Sequence, residues 1–231
     1  MKLAEMTWIE VKEYLLNKNC LIIPVGTCEQ HGYHLPLNHD ILCVEYFATL
    51  LSNNTGILVA PTINYGINLP CDISFCGTTS ITYEILHNTI QTITDWWRSQ
   101  GFNKFILLTF HGDPFHIKAM SDLSDDTLLI ELYEIEYEDI LEKQITMKHA
   151  CEAETSVALY LHPDKVREKV ICNQDIPFEL FNEYLFHEKT TKPENYIGSL
   201  GYPSYASKEK GVKIVTRMVD KMISETKNFL L

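Results

Sequence analysis

Apolar residues in this chain fall into two kinds of run that alternate along it. Leu21-Ile22-Ile23-Pro24-Val25 and Phe105-Ile106-Leu107-Leu108-Thr109-Phe110 are short and unbroken, as strands buried on both faces are. Around them, apolar positions recur at helical spacing. Thr7 is placed to cap a first helix to about Asn17, and a second runs from Ile41 to about Ser52. Thr82 to Gln100 predicts an amphipathic helix with Ile85, Ile90, Ile93 and Trp97 on its apolar face. Further helices are predicted from about Pro114 to Leu123, over 154–161 and over 207–229. Strands are predicted at 20–25 and 104–110, with a short one in Gly56–Pro61 and an extended stretch from Leu128 to Ile135. Residues 62–78 read as a long loop, and 163–205 as loop-rich. This order predicts an α/β fold: one domain over 1–231, three layers α/β/α, with a mostly parallel central sheet.

Composition narrows the class. A chain of 231 residues can bury one good core without splitting. The formal net charge of -12, with no basic stripe, argues against nucleic acid or an anionic membrane as partner. The seven cysteines are odd in number and scattered, and Met1-Lys2-Leu3-Ala4-Glu5 leads into a polar helix, unlike a signal peptide. A reduced, cytoplasmic setting is expected, and no apolar run has the length to span a bilayer. The acidic run Glu131, Glu134, Glu136, Glu138 and Asp139 reads as a solvated face, with substrate or partner binding as the sharper alternative.

The candidate chemistry lies in three polar clusters, two of them directly after a strand. The first strand runs into Glu29-Gln30-His31-Gly32-Tyr33-His34-Leu35-Pro36-Leu37-Asn38-His39-Asp40, and the second long strand into His111-Gly112-Asp113. The third cluster, His149-Ala150-Cys151-Glu152-Ala153-Glu154-Thr155-Ser156, opens a helix. Imidazole and carboxylate gathered at the carboxyl edge of an α/β sheet suit zinc, manganese or iron(II).

These clusters resemble, in order, the motifs of the creatininase family of metal-dependent amidohydrolases. Pro24 to Asp40 resembles P-x-G-S-x-E-Q-H-G-x-H-L-P-L-x-x-D. Tyr65-Gly66 with Phe75-Cys76-Gly77-Thr78-Thr79-Ser80 is similar to Y-G…F-P-G-T-x-S, and His149 to Ser156 to H-A-G-E-x-E-T-S. Gly198 to Pro203 and Ala206 to Gly211 resemble the family's C-terminal stretch. The resemblance implies two divalent ions: Glu29 and His111 on one, His31 on the other, and Asp40 bridging. Glu152 is the favoured further ligand of the second ion, with Asp113 the alternative, since creatininase itself has Glu at that place. His149 would move protons to the leaving nitrogen. Glu154 would orient His149 or support the ligands from outside, and Asp113, if not a ligand, would be an acid or base.

Departures from the family pattern point to a different pocket. Thr109-Phe110 replaces N-G before the strand-end histidine, Pro114 replaces an Asn, and Asp72 falls near a position where relatives carry His. No Trp occurs after Trp97, whereas creatininase encloses its ring substrate with tryptophans in that half, so creatinine is a poor fit. Three readings follow: hydrolysis of a small amide (cyclic amide, formamide or small peptide), ring opening at a non-amide carbonyl, or a non-catalytic metal-stabilised protein. Relatives commonly form hexamers, and the apolar segment Phe178 to Phe186 predicts a homo-oligomer. Light scattering at micromolar concentration should give the mass of several chains; a mass near one chain excludes it.

Overall fold

Local sequence sets where the elements begin and end. Thr7 and Glu10 exchange side-chain and backbone hydrogen bonds in a capping box ahead of α1 (Trp8–Tyr14). Strand β1 (Cys20–Val25) leads through the first polar cluster to α2 (His39–Thr55), which stops at Gly56 in the left-handed region (φ 68°). Strand β2 (Leu58–Val59) is followed by a long loop and by α3 (Tyr83–Gln100), whose cap Thr82 accepts from the N–H of Ile85. Then come β3 (Lys104–Thr109), α4 (Pro114–Ser121) capped by Asp113, and β4 (Thr127–Glu131). Helices α5 (Glu152–Leu161), α6 (Phe178–Leu185) and α7 (Lys208–Leu230) complete the chain. This computed structural model describes residues 1–176 and 178–231, with the side chains of 178–180 outside the description.

The sheet is parallel throughout, in the order β2-β1-β3-β4. Val25 pairs with Thr109 and Thr109 with Glu131, so the carboxyl ends of three strands are level. One face is packed by Val44 and Phe47 of α2, Val157 of α5, and Ile214 and Met218 of α7. The other is packed by Leu86 and Ile90 of α3 and Ala119 and Met120 of α4, with α1 alongside. The chain therefore leaves β1 toward one face and β3 toward the other. This divergence of neighbouring strands opens the crevice in which α/β proteins bind ligands.

Three expectations shift. The extended stretch from Leu128 ends early because the Glu131 carboxylate accepts from the N–H groups of Tyr133 and Glu134 and turns the chain. Ile85 is 53% exposed, and Leu86 takes its place beside Ile90, which is buried as expected, with Trp97 packed against the same cluster. Helix α6 forms where loop was expected. Its Phe181 and Tyr184 are buried in a small third cluster with Leu69, Cys71 and Tyr196, while Phe186 remains exposed. Much of the apolar surface expected at 178–186 is thus covered by the chain itself, and the part on 178–180 lies outside the described side chains. Among the described residues no helix is long and apolar enough to cross a membrane.

Gly211 controls how close α7 comes to α5. A Cβ there would lie 2.1 Å from the carbonyl oxygen of Ser156, a backbone atom that cannot step aside. Gly211→Ala should gain about 1 kcal/mol of helix propensity and lose about 1–3 kcal/mol or more to overpacking. Urea unfolding should therefore show a less stable protein, against the ordinary helix ranking.

Candidate metal centre

The loop after β1 is tied down before it reaches the cluster. The N–H of Glu29 donates to the carbonyl of Leu37 (2.9 Å), and that of Gln30 to Thr78 Oγ1 (2.8 Å). Glu29 and His31 are each 1% exposed, as is Asp40 in the first turn of α2. From β3, His111 enters beside them, and from α5, Glu154.

Three imidazoles share one arrangement. Nδ1 of His31 is 3.1 Å from the carbonyl of Glu29, Nε2 of His111 is 2.8 Å from that of Ile67, and Nε2 of His149 is 2.7 Å from that of Gln30. A carbonyl can only accept, so each of these nitrogens carries a proton and the other nitrogen of the ring is turned inward. The inward nitrogens all face carboxylates. His31 Nε2 is 3.2 Å from Asp40 Oδ1 and 4.0 Å from Glu154 Oε2. His111 Nδ1 is 3.3 Å from Glu29 Oε2 and 3.4 Å from Asp40 Oδ2. His149 Nδ1 is 3.8 Å from Glu29 Oε2. Backbone carbonyls that fix the outer nitrogen are the usual second layer of a metal site.

Electrostatics makes the same demand. Glu29 Oε2, His31 Nε2 and both oxygens of Asp40 are buried without a hydrogen-bond partner. Burial opposes charge on Asp40, yet the neighbouring His31 outweighs it and holds the carboxyl well below its ordinary range. Burial likewise opposes charge on His31, and the Asp40 carboxylate prevails, raising the imidazole to about 10. Glu154 is pushed up to about 8 by burial, against the pull of His31. His149 is lowered to about 4, by burial and the nearby His31. The cluster calls for positive charge at its centre, and the donor set of imidazole nitrogen and carboxylate oxygen fits a divalent ion. Three overlapping sets, Glu29/Asp40/His111, Glu29/His31/His149 and His31/His39/Glu154, each bring their donor atoms within 4.8 Å of one another.

Two of the residues expected at the metals are committed elsewhere. Glu152 projects from the opposite side of α5. Its carboxylate takes the Lys210 ammonium (2.6 Å) and the N–H groups of Glu142 and Lys143, so the structure does not bring it to the cluster. Glu154, expected as a support, occupies the place beside His31 instead. Asp113 spends Oδ1 on the N–H groups of Phe115 and His116, capping α4, and Oδ2 on His187 Nε2 (2.8 Å). Both oxygens are thus engaged, and although Asp113 lines the cavity, among the described residues it joins none of the donor sets.

The structure also resolves positions that the sequence left open. His34 Nε2 pairs with Thr155 Oγ1 (2.8 Å), away from the cluster. His116 accepts from the N–H of Ile67 and turns its other nitrogen to Thr109 Oγ1, so Thr109 supports the histidine layer where relatives have Asn. Phe110 is core, stacked on Phe47. Gln30 donates to the buried Asp72 (2.7 Å) while its Oε1 accepts from Gly32 N–H. Gly198 lies against that amide, and any Cβ there would collide with it.

The cluster floors a cavity of about 620 Å³. Glu29, Asp72, His111, His149 and Glu154 form its base, and Met147, Ile176, Phe181, Leu185 and Leu200 its apolar wall. Glu134, Glu136 and Lys148 also line it, so part of the acidic run faces this space. Asp139 of that run pairs with Arg217 (2.7 Å).

Comparison with known proteins places this geometry. The family model described as "Creatininase: Creatinine amidohydrolase" matches residues 4–225. The chain is 26% identical to a creatinine amidohydrolase of Pseudomonas putida over 243 residues, covering 92% of this chain and 90% of that protein. It is 31% identical to the 3-dehydro-scyllo-inosose hydrolase of Thermotoga maritima over 180 residues, covering 71% of this chain and 57% of that protein. The solved structure named "Creatininase Mn" has the same fold: TM-score 0.81, 23% identity, 98% of this chain and 97% of that one covered.

Glu152 and Lys210 generate a prediction that separates packing from ligation. Lys210→Met should destabilise the protein by about 2–3 kcal/mol in urea unfolding, because it strands a buried carboxylate that keeps only backbone partners. Elemental analysis of Glu152→Gln protein should show its metal content unchanged.

Proposed function

The chain belongs to the creatininase family, and from that premise we propose that it is a metal-dependent amidohydrolase using two divalent ions. The observation that carries this reading is the set of inward-facing imidazole nitrogens and partnerless carboxylate oxygens converging at the end of β1 and β3. In this reading Glu29 and His111 hold one ion, His31 and Glu154 the other. Asp40 joins them, because its two oxygens face different imidazoles. Zinc, manganese and iron(II) all suit these donors. Ions so held would lower the pKa of a bound water and polarise a carbonyl.

The remaining residues position substrate and move protons. His149 keeps its Nε2–H on the carbonyl of Gln30 and presents a bare Nδ1 to the cavity side of Glu29. That nitrogen takes a proton from the attacking group and returns it to the departing amine, the role of a neutral general base. Asp113 caps α4 and pairs with His187 at the edge of the cavity. The apolar wall excludes water and accepts the body of the substrate. Among the described residues no tryptophan lines the cavity, and its volume exceeds what one small ring fills, so creatinine is a poor substrate on this reading. A second reading, hydrolysis at a non-amide carbonyl, is supported by the likeness to the inosose hydrolase. Release of an amine from the substrate distinguishes the first reading from the second.

Chelation should abolish turnover, and added zinc or manganese should restore it. Asp40→Ala should lose both ions and Glu154→Gln one, as counted by elemental analysis. His149→Gln should keep both and lose about 10²–10⁴ in kcat, the usual contribution of a general base. Two ions per chain retained in Asp40→Ala would rule out the bridging role.

A further inference from the structure

His39 is the least expected neighbour of the cluster. It is the first residue of α2, 1% exposed, and its ring stands edge-on to that of His31 with centroids 5.0 Å apart. One of its nitrogens lies with His31 and Glu154 in a group of donor atoms within 4.8 Å of one another. Its surroundings give it little else. Phe110 packs against the ring at 5.7 Å between centroids, and its only polar contact among the described residues is Cys43 Sγ, 3.8 Å from both ring nitrogens. A thiol is a weak partner, and a buried polar group left without a good one costs about 1–3 kcal/mol. Leucine or methionine would fill this space without that cost. What an apolar side chain would lack is a nitrogen lone pair near His31 and Glu154.

We propose that His39 is a further nitrogen ligand of the second ion, so that this ion is held by His31, His39, Glu154 and Asp40. The inference rests on the two-ion reading above and adds to it a donor that the motif comparison did not assign. Its consequence is an unequal pair. The second position gains a second imidazole, and a donor set of two nitrogens and two carboxylates leans toward zinc or iron(II) and away from the all-oxygen ions. It also explains why the ring precedes Asp40: the first turn of α2 then delivers two successive side chains to one centre.

The test is a zinc titration of the full-length chain, stripped of metal, against a competing chromophoric chelator. Wild type is compared with His39→Leu, which keeps the packing, and His39→Gln, which keeps polarity. Far-UV circular dichroism and uptake of the first ion serve as folding controls. The expected result is two ions in wild type, with affinity for the second lowered by more than about 100-fold in both variants, beyond the 10–100-fold typical of an outer-layer partner, and the first unchanged. X-ray absorption of zinc-loaded wild type should show one more imidazole per pair of ions than His31 and His111 supply. If wild type binds two ions and both variants keep the second within about tenfold, the effect is no larger than that of an outer-layer group; His39 is then a packing residue and the two-ion reading stands. If wild type itself binds fewer than two ions, the two-ion reading fails, and the assignment of His39 with it.

Discussion

Glu29, Asp40 and Glu154 sit side by side in the interior, each about 1% exposed, and like charges so placed repel. Desolvating a carboxylate costs several kcal/mol even after relaxation. Three together are tolerable only around something positive, and the rest of the site is arranged to leave room for it. Each of these imidazoles is turned so that one N–H points outward to a backbone carbonyl and its other nitrogen inward. The level ends of β1 and β3 bring Glu29 and His111 to one height. The divergence of α2 and α4 to opposite faces keeps the space above them open. The close passage of α7 over α5 at Gly211 seats the helix from which Glu154 projects.

The sequence was informative where the physics is local. Both long strands were legible because an unbroken apolar run of six can bury itself only in the middle of a sheet. Thr7, Thr82 and Ser207, where helices were expected to begin, are the caps found there. The Glu29–Asp40 loop was legible as a cluster of potential ligands because its residue types have little other reason to follow a strand. The helix over 178–185 was not, since its apolar face is completed by Leu69, Cys71 and Tyr196 from elsewhere in the chain.

The exchange of Glu152 and Glu154 has the same origin. Two residues apart on a helix point in nearly opposite directions, so one faces the cluster and the other faces away. Which is which depends on the phase of α5, and that is set by Cys151, whose Sγ accepts from the N–H of Ala153 as the helix cap. It also depends on Lys210, a partner 58 residues away that pairs with the outward carboxylate. Neither is visible in a motif. The sequence assigns His39 no role for a similar reason: its nearness to Glu154 exists only after α2 and α5 pack on the same face of the sheet.

Ala150 lies in the left-handed region at φ 49°, between His149 and the cap of α5, and its N–H donates to Glu154 Oε2. A side chain in that conformation stores on the order of 1–3 kcal/mol, and the Glu154 carboxylate is what holds it there. The backbone that carries His149 and the carboxylate that faces His31 are therefore mechanically tied. A substitution at any one of positions 149, 150 and 154 bears on the other two. Glycine at 150 would relieve the strain while keeping the tie, whereas any change at 154 is also a change in where the imidazole of 149 points.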